Sequence, residues 1–510
     1  MTSSTDLSGL LTSLYQEIRE TALLNSCAGI LGWDERTYMP KNAAYYRGEQ
    51  IGLLARLSHE KFTSPQIGEK LNKIEALFKE MNATDISLFD KANVREISRA
   101  YLRAVKLPGS FVAELAKTTS EAQGAWQQAR AENRFEGFEP WLTKIVKMKR
   151  EEAQLIGYNE HPYNALLDEY EPGATVSSIR SLFAELRQEL VPFLQNIVQS
   201  KRKPNTEILT RNYPVQQQEL FGKQAAEKIG FDFNSGRLDV TTHPFCSGIT
   251  PGDCRITTRY NPKFFNEAFF GILHEAGHGI YEQNLPSDHF GLPAGSAISL
   301  GIHESQSRLW ENQIGRSLPF WQYFFPLAQT AFPEALGDVS LTDWLFAINE
   351  VKPSLIRVEA DEVTYNLHII LRFELEVAIL GQELNVKDIP GIWNEKMKEF
   401  FGLTPPSNQL GCLQDIHWSM GGLGYFPTYT LGNLFAAQFM NQFKLENITC
   451  EQQWQQGDFA SLKKWLVDKI HRFGQQYRSS ELCQQITGKD LSHKPFMQYL
   501  REKFSKLYDL

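Results

Sequence analysis

His274-Glu275-Ala276-Gly277-His278 is an HExxH sequence. On a helix these two histidines are four residues apart and face the same way, so their imidazoles can converge on one metal ion. Glu275 adjoins the first of them and can reach a water on that ion without binding the ion itself. A divalent ion so held polarises a carbonyl and lowers the pKa of its water from 15.7 towards roughly 7, so hydrolysis is the chemistry to expect. The plain alternative is a pair of helix histidines beside an unrelated glutamate. The histidine content is low, 11 in 510 residues, and chance yields the motif with a probability on the order of 1%. The apolar neighbours Phe269, Phe270, Ile272 and Leu273 also favour a buried metal helix.

A catalytic zinc needs a third protein ligand. Glu282 is eight residues past His274, roughly 12 Å along a helix, too far to share one ion with it. It reads as a surface or supporting residue. Glu304 and Glu311 are the next candidates, beyond the uncharged, glycine-containing stretch 290–302, which can turn the chain back. Spacing alone leaves both open, and each could equally be an exposed helix carboxylate. His303 would point about 100° away from Glu304 on a helix, which makes it a supporting residue.

The elements that must carry these groups are mainly helical. Asn261 can cap the metal helix and Pro262 can be its first residue. Apolar residues recur at three and four spacing through the first 230 residues, as in Leu7, Leu10, Leu11, Leu14 and Ile18, and again within 52–57, 67–78, 110–133, 138–155 and 176–200. Met39-Pro40, Leu107-Pro108-Gly109 and Glu171-Pro172-Gly173 are turn signals between them. The rhythm breaks near residue 235. Residues 237–242 and 255–260 alternate like strands, with Pro251-Gly252-Asp253 as a turn between them. Helical spacing then returns to the end. The expected fold is mainly α, a single domain over 1–510, with a helical region 1–235, a catalytic region 236–510 that holds the HExxH and a small β-sheet beside the metal helix.

Composition narrows the partners. Lys and Arg number 52 against 60 Asp and Glu, a net charge of −8, with 42% hydrophobic and 22% charged residues. This is ordinary globular composition and gives no basic surface for nucleic acid. Six cysteines are scattered without a CxxC pair, so no cysteine zinc site is indicated. The N-terminus has neither a basic nor an apolar leader region, so the cytoplasm is the expected location. From Trp418 to Phe443 no charged side chain occurs, but the glycines, Pro427, Asn433 and Gln438 fit a glycine-rich loop and a buried helix, not a membrane span.

Several motifs then stand in an order that resembles the thermostable metallocarboxypeptidase family, carboxypeptidase Taq type. They are His243-Pro244-Phe245, Asp253-Cys254-Arg255-Ile256-Thr257, the HExxH, His303-Glu304-Ser305-Gln306, Ile356-Arg357-Val358-Glu359-Ala360-Asp361 and Gly411-Cys412-Leu413-Gln414-Asp415-Ile416-His417-Trp418. Trp33-Asp34, Met39-Pro40 and Tyr170-Glu171-Pro172-Gly173 add to them. The resemblance covers nearly the whole chain. It implies a zinc- or cobalt-dependent carboxypeptidase of broad specificity, with a helical fold, a deep groove and a homodimeric state. It also implies His274, His278 and Glu304 as ligands and Glu275 as general base, and so prefers Glu304 to Glu311.

Hydrolysis by this route needs donors for the oxyanion, and His243, His417, Tyr425 and Tyr429 are candidates, each of which could instead be a satisfied buried ring. A free C-terminal carboxylate suits an arginine fork. Arg357 comes first, against an i,i+4 pair with Asp361. Arg255 comes second, against a pair with Asp253 or Asp239. The strand Asp253–Tyr260 could hold an extended peptide if it lay at a sheet edge. The remaining histidines, at 59, 161, 289, 368, 471 and 493, read as surface or core. An endo-oligopeptidase or dipeptidyl carboxypeptidase would share the motif. A helical binding protein with a structural metal would need a closed four-ligand site, and no cysteine cluster offers one.

Overall fold

Helix caps and apolar spacing build the scaffold. In the computed structural model, which describes residues 2–510, Thr175 Oγ1 accepts the Ser178 N–H at 3.2 Å and starts the helix Val176–Gln199. Ile179, Phe183, Leu186, Leu190 and Leu194 then recur on its buried face. The expected helical stretches of the first half appear as helices, joined by the expected proline and glycine turns. The first four are α1 (Thr2–Thr37), α2 (Ala44–Phe62), α3 (Pro65–Glu80) and α4 (Leu88–Lys106). Helices α1, α3 and α4 share a small core of their own that includes Leu14, Ile67, Leu71 and Ile97. A much larger core runs from Ala122 to Tyr508.

Three strands form one sheet: β1 (Gly236–Val240), β2 (Cys246–Thr250) and β3 (Asp253–Thr258). Two had been expected. The missed β2 begins Cys-Ser-Gly, residues with little β-propensity, and the turn at 251–252 joins it to β3. Gly252 supplies the left-handed conformation there, φ +84°. The order is β1-β3-β2, with β1 parallel and β2 antiparallel to β3. Strand β3 is therefore central, and the expectation that Asp253–Tyr260 could offer an edge to a peptide is corrected: its backbone is paired on both sides.

The metal helix spans Phe265–Gln283, not from Pro262. Asn261 instead closes a turn ahead of it: its Oδ1 accepts the Lys263 N–H and its carbonyl accepts the Phe264 N–H. Phe265, Phe269, Phe270, Ile272, Leu273 and Ile280 are all buried, so this helix is enclosed on every side. Each such side chain contributes roughly 1.5–3 kcal/mol of burial.

The uncharged stretch after His417 forms a short 3₁₀ turn (His417–Met420), a glycine loop and the helix Pro427–Glu446. The amides of Asn433 and Gln438 are buried and paired. Asn433 donates to Asn366, and Gln438 donates to the Asp490 carbonyl. No helix among the described residues is long and apolar enough to cross a membrane.

Candidate active site

Two helices meet at the HExxH without a side chain between them. A Cβ at Gly277 would lie 2.7 Å from the Gln306 carbonyl oxygen and Ser307 Cα, so the metal helix touches the helix Leu300–Arg308 backbone to backbone. Ser299 Oγ accepts the Ile302 N–H and Glu171 Oε2 accepts the Gly301 N–H at the start of that second helix, where a buried carboxyl group, pushed up to about 7 by burial, meets the positive end of the dipole. On its other side lies the helix Pro427–Glu446, where a Cβ at Gly432 would lie 2.5 Å from Glu304 Cγ. Glu304 is thus held between two close contacts.

The side chains converge accordingly. Glu304 Oε2 lies 3.4 Å from His278 Nε2 and 3.6 Å from His274 Nε2. Tetrahedral bonds of about 2.1 Å require ligand atoms roughly 3.4 Å apart, so the three fit one divalent ion. The far ring nitrogens are engaged elsewhere, which turns both Nε2 atoms inward. His274 Nδ1 meets Glu311 Oε2 at 2.9 Å. His278 Nδ1 meets His303 Nδ1 at 2.5 Å, and His303 Nε2 meets Glu282 Oε1 at 2.7 Å. Outer partners of this kind fix the tautomer and aim of a ligating imidazole. Glu311 stands behind His274 because residues 309–314 wind as a π-helix, a widening that spacing does not announce.

Charge completes the picture. Arg308 Nε donates to Glu304 at 2.7 Å and its Nη1 to Glu311 at 3.0 Å. Burial alone would raise Glu304, but Arg308 and the two histidines outweigh it and hold the carboxylate well below its usual range. Burial likewise opposes ionisation of Glu311, yet Arg308 and His274 hold it down to about 2. Burial and the nearby His303 push His278 down to about 3, leaving it neutral, the form that ligates. Glu275 has no arginine beside it, and burial outweighs the lowering effect of His274 and pushes it up to about 7.

A second cluster lies beside the first. Arg357 is 5% exposed and donates from Nε and Nη2 to Asp415 at 3.1 and 2.8 Å, and from Nη1 to the Tyr365 hydroxyl at 3.1 Å. Arg372 reaches the same Asp415 at 2.7 Å. Burial opposes this charge, but the two arginines hold Asp415 well below its usual range. Tyr365 bridges the clusters, since the Arg308 guanidinium lies 4.5 Å from its ring centre.

The Arg357–Asp361 pair considered from the sequence does not form. Residues 357–359 are a 3₁₀ turn, and Asp361 instead accepts the N–H groups of Lys352, Val363 and Thr364. Tyr429 faces Arg357, ring centre to guanidinium 5.2 Å, and packs on Tyr425 with centroids 5.4 Å apart. His417 stands 5.5 Å from the Tyr425 ring and is neutral, lowered by burial to about 4. Glu376, fully buried, accepts from Trp418 Nε1 and from the Gly424 N–H, pinning both ends of the glycine loop between His417 and Tyr425.

Arg255 is tied to Asp253 through Nε and Nη2 at 2.7 and 2.8 Å and lies 4.3 Å from the Trp33 ring centre, at the C-terminal end of α1. His243 is exposed between β1 and β2. Arg308, Tyr365, Asp415 and Arg372 were not singled out from the sequence. Only Arg308, four residues past Glu304, and Asp415, two before His417, carried a spacing that could have flagged them.

Comparison with known proteins gives the family. Residues 13–504 match the family model described as carboxypeptidase Taq (M32) metallopeptidase. Thermostable carboxypeptidase 1 of Thermus thermophilus is 46% identical, over 97% of this chain and 98% of the relative. Carboxypeptidase 1 of Bacillus subtilis is 39% identical, over 97% and 98%. The crystal structure of the M32 carboxypeptidase from Deinococcus radiodurans R1 superposes with a TM-score of 0.94 at 35% identity, covering 98% of this chain and all (100%) of that one. The chain belongs to the carboxypeptidase Taq (M32) metallopeptidase family.

Proposed function

We propose that this protein is a metal-dependent carboxypeptidase that removes residues from the free C-terminus of peptides, with His274, His278 and Glu304 holding the ion and Glu275 as general base. One observation carries the reading. A pocket of two imidazoles and surplus carboxylate, fit for a cation, adjoins a pair of arginines on a single aspartate, fit for an anion, and one tyrosine joins them. A peptide end carries the matching pair of groups, a scissile carbonyl and a carboxylate one residue apart.

A divalent ion on the triad supplies Lewis acidity, and the two-nitrogen, one-oxygen donor set suits zinc, with cobalt as the alternative. Glu275 takes a proton from the attacking water and delivers it to the leaving amine. Its position in an apolar wall keeps it basic enough to do so near neutral pH. Arg357 has five N–H groups, three of them engaged within the protein, which leaves donors for a carboxylate. Its place beside Tyr365 and Tyr429, next to the triad, ranks it ahead of Arg255, which pairs with Asp253 against Trp33. Burial pushes Tyr429 well up and raises Tyr425, so both hydroxyls keep their protons and can donate to a developing oxyanion. His417 can do the same as a neutral donor, and His243, on the exposed loop before β2, is the remaining candidate. Broad side-chain tolerance, a homodimer and the cytoplasm complete the reading on the family resemblance alone.

Mass-spectrometric ladders test it. Peptides should shorten one residue at a time from the C-terminus. A chelator should stop the reaction and zinc or cobalt restore it. C-terminal amidation should block it. Cleavage within the chain, or equal turnover of amidated peptides, would favour an endopeptidase and overturn the reading.

A further inference from the structure

We propose that Cys246 and Cys254 form a reversible disulfide whose closure weakens the metal site by sliding β2. Their sulfurs are 3.7 Å apart, and neither takes part in the chemistry above. Cys254 is buried and Cys246 half-buried, so an oxidant meets Cys246 first.

The two are not directly opposed. Cys246 pairs with Ile256, and Cys254 pairs with Gly248. Diagonal neighbours of this kind stand farther apart than the roughly 3.8 Å between Cβ atoms that a disulfide allows. Closing the bond draws Cys246 along β3 towards the place that Gly248 holds. Strand β2 can yield because it is an edge, and its register already breaks between Gly248 and Thr250.

The movement has a direct line to the metal triad. Gly248 lies so close against the Glu282 carboxylate that a Cβ would not fit. Glu282 holds His303, and His303 holds His278. Displacing Gly248 unseats the carboxylate that ends this chain, and with it the aim of one ligand. A bond strained in this way is also readily reduced, as a switch requires.

The chemistry balances with a peroxide as oxidant. The Cys246 sulfur, whose thiol the Cys254 hydrogen bond and burial keep protonated, gives up its proton as it attacks the O–O bond, giving a sulfenic acid and one water. The Cys254 thiolate displaces that oxygen, giving the S–S bond and a second water. The thiols lose two electrons and two protons, and the peroxide takes both. A thiol reductant reverses the step by exchange.

The test treats Cys27→Ser protein, which lacks the exposed thiol, with hydrogen peroxide. Peptide mapping should find Cys246 joined to Cys254, and competition with a chelator should show zinc bound about tenfold more weakly. Dithiothreitol should restore both. Cys246→Ser in the same background should bind zinc like the reduced protein and ignore peroxide. Thiols that stay open to alkylation, or a bridge that leaves zinc affinity unchanged, would overturn the proposal. The inference rests on the metal triad proposed above, and the readouts separate the two. Reduced protein that binds no zinc sinks the triad, whereas unchanged affinity on oxidation sinks only the switch.

Discussion

The molecule buries two arginine–carboxylate clusters of opposite sense. Around the triad, Glu304 and Glu311 pair with Arg308 and Arg316, and Glu275 stands beside them with no arginine of its own. On the far side of Tyr365, Arg357 and Arg372 converge on Asp415. Buried charge persists only where it is paired, so the surplus in each cluster names what completes it. The first awaits a cation and the second an anion. The contrast also appears in how each is framed. Glycine contacts between helix backbones set the first, whereas rings set the second: Tyr365, Tyr429 and Phe426 all lie within 6 Å of the Arg357 guanidinium.

The contrast can be broken most sharply at Glu275. Glu275→Gln should lower kcat by about a thousandfold while zinc content, measured by elemental analysis, stays the same. Full turnover in that variant would remove the first cluster from the chemistry. Arg357→Lys probes the second. It keeps a charge near Asp415 but loses the fork, so kcat/KM on peptides with a free carboxylate should fall about a hundredfold with zinc affinity unchanged. A loss of zinc affinity instead would mean that the clusters are one electrostatic unit.

Gly432→Ala separates the two kinds of framing. Its Cβ would press on Glu304, costing roughly 1–3 kcal/mol and weakening zinc binding about tenfold, as read by thermal unfolding and chelator competition. Gly391→Ala, inside the helix Ile389–Phe401 where a Cβ meets nothing within 4 Å, should leave zinc binding unchanged and raise stability by up to about 1 kcal/mol. The smallest effect is on pH. Glu275 is a base only when ionised. Burial lifts it to about 7, and a cation on the triad draws it lower. Activity therefore falls as pH drops. Between about pH 7.5 and pH 6.5, kcat/KM should decline less than about tenfold, with a slope set by one proton.

Much of this was legible in the residues. The HExxH spacing fixes two imidazoles and a base on one helix, whatever the rest of the chain does. Period and turn residues gave the helices of the first half. The third ligand was not readable from spacing, because both Glu304 and Glu311 sit on suitable turns. The π-helix at 309–314 is what sends one to the front of His274 and the other behind it. Asp415 was quoted only as part of a motif, since a lone aspartate says nothing of two arginines drawn from residues 357 and 372. Strand β2 hid behind Cys-Ser-Gly, and its pairing moved β3 from the edge to the middle.

Gly277 and Gly432 carry one more consequence. Most buried side chains can swing a torsion to absorb a small misalignment between neighbours. Here main chain meets main chain at Gly277 and the base of the Glu304 side chain at Gly432, a joint without a gasket. Any shift of one rod therefore travels undiminished to the atoms it carries, so the centre behaves as a rigid fixture whose accuracy is set by how straight three helices run.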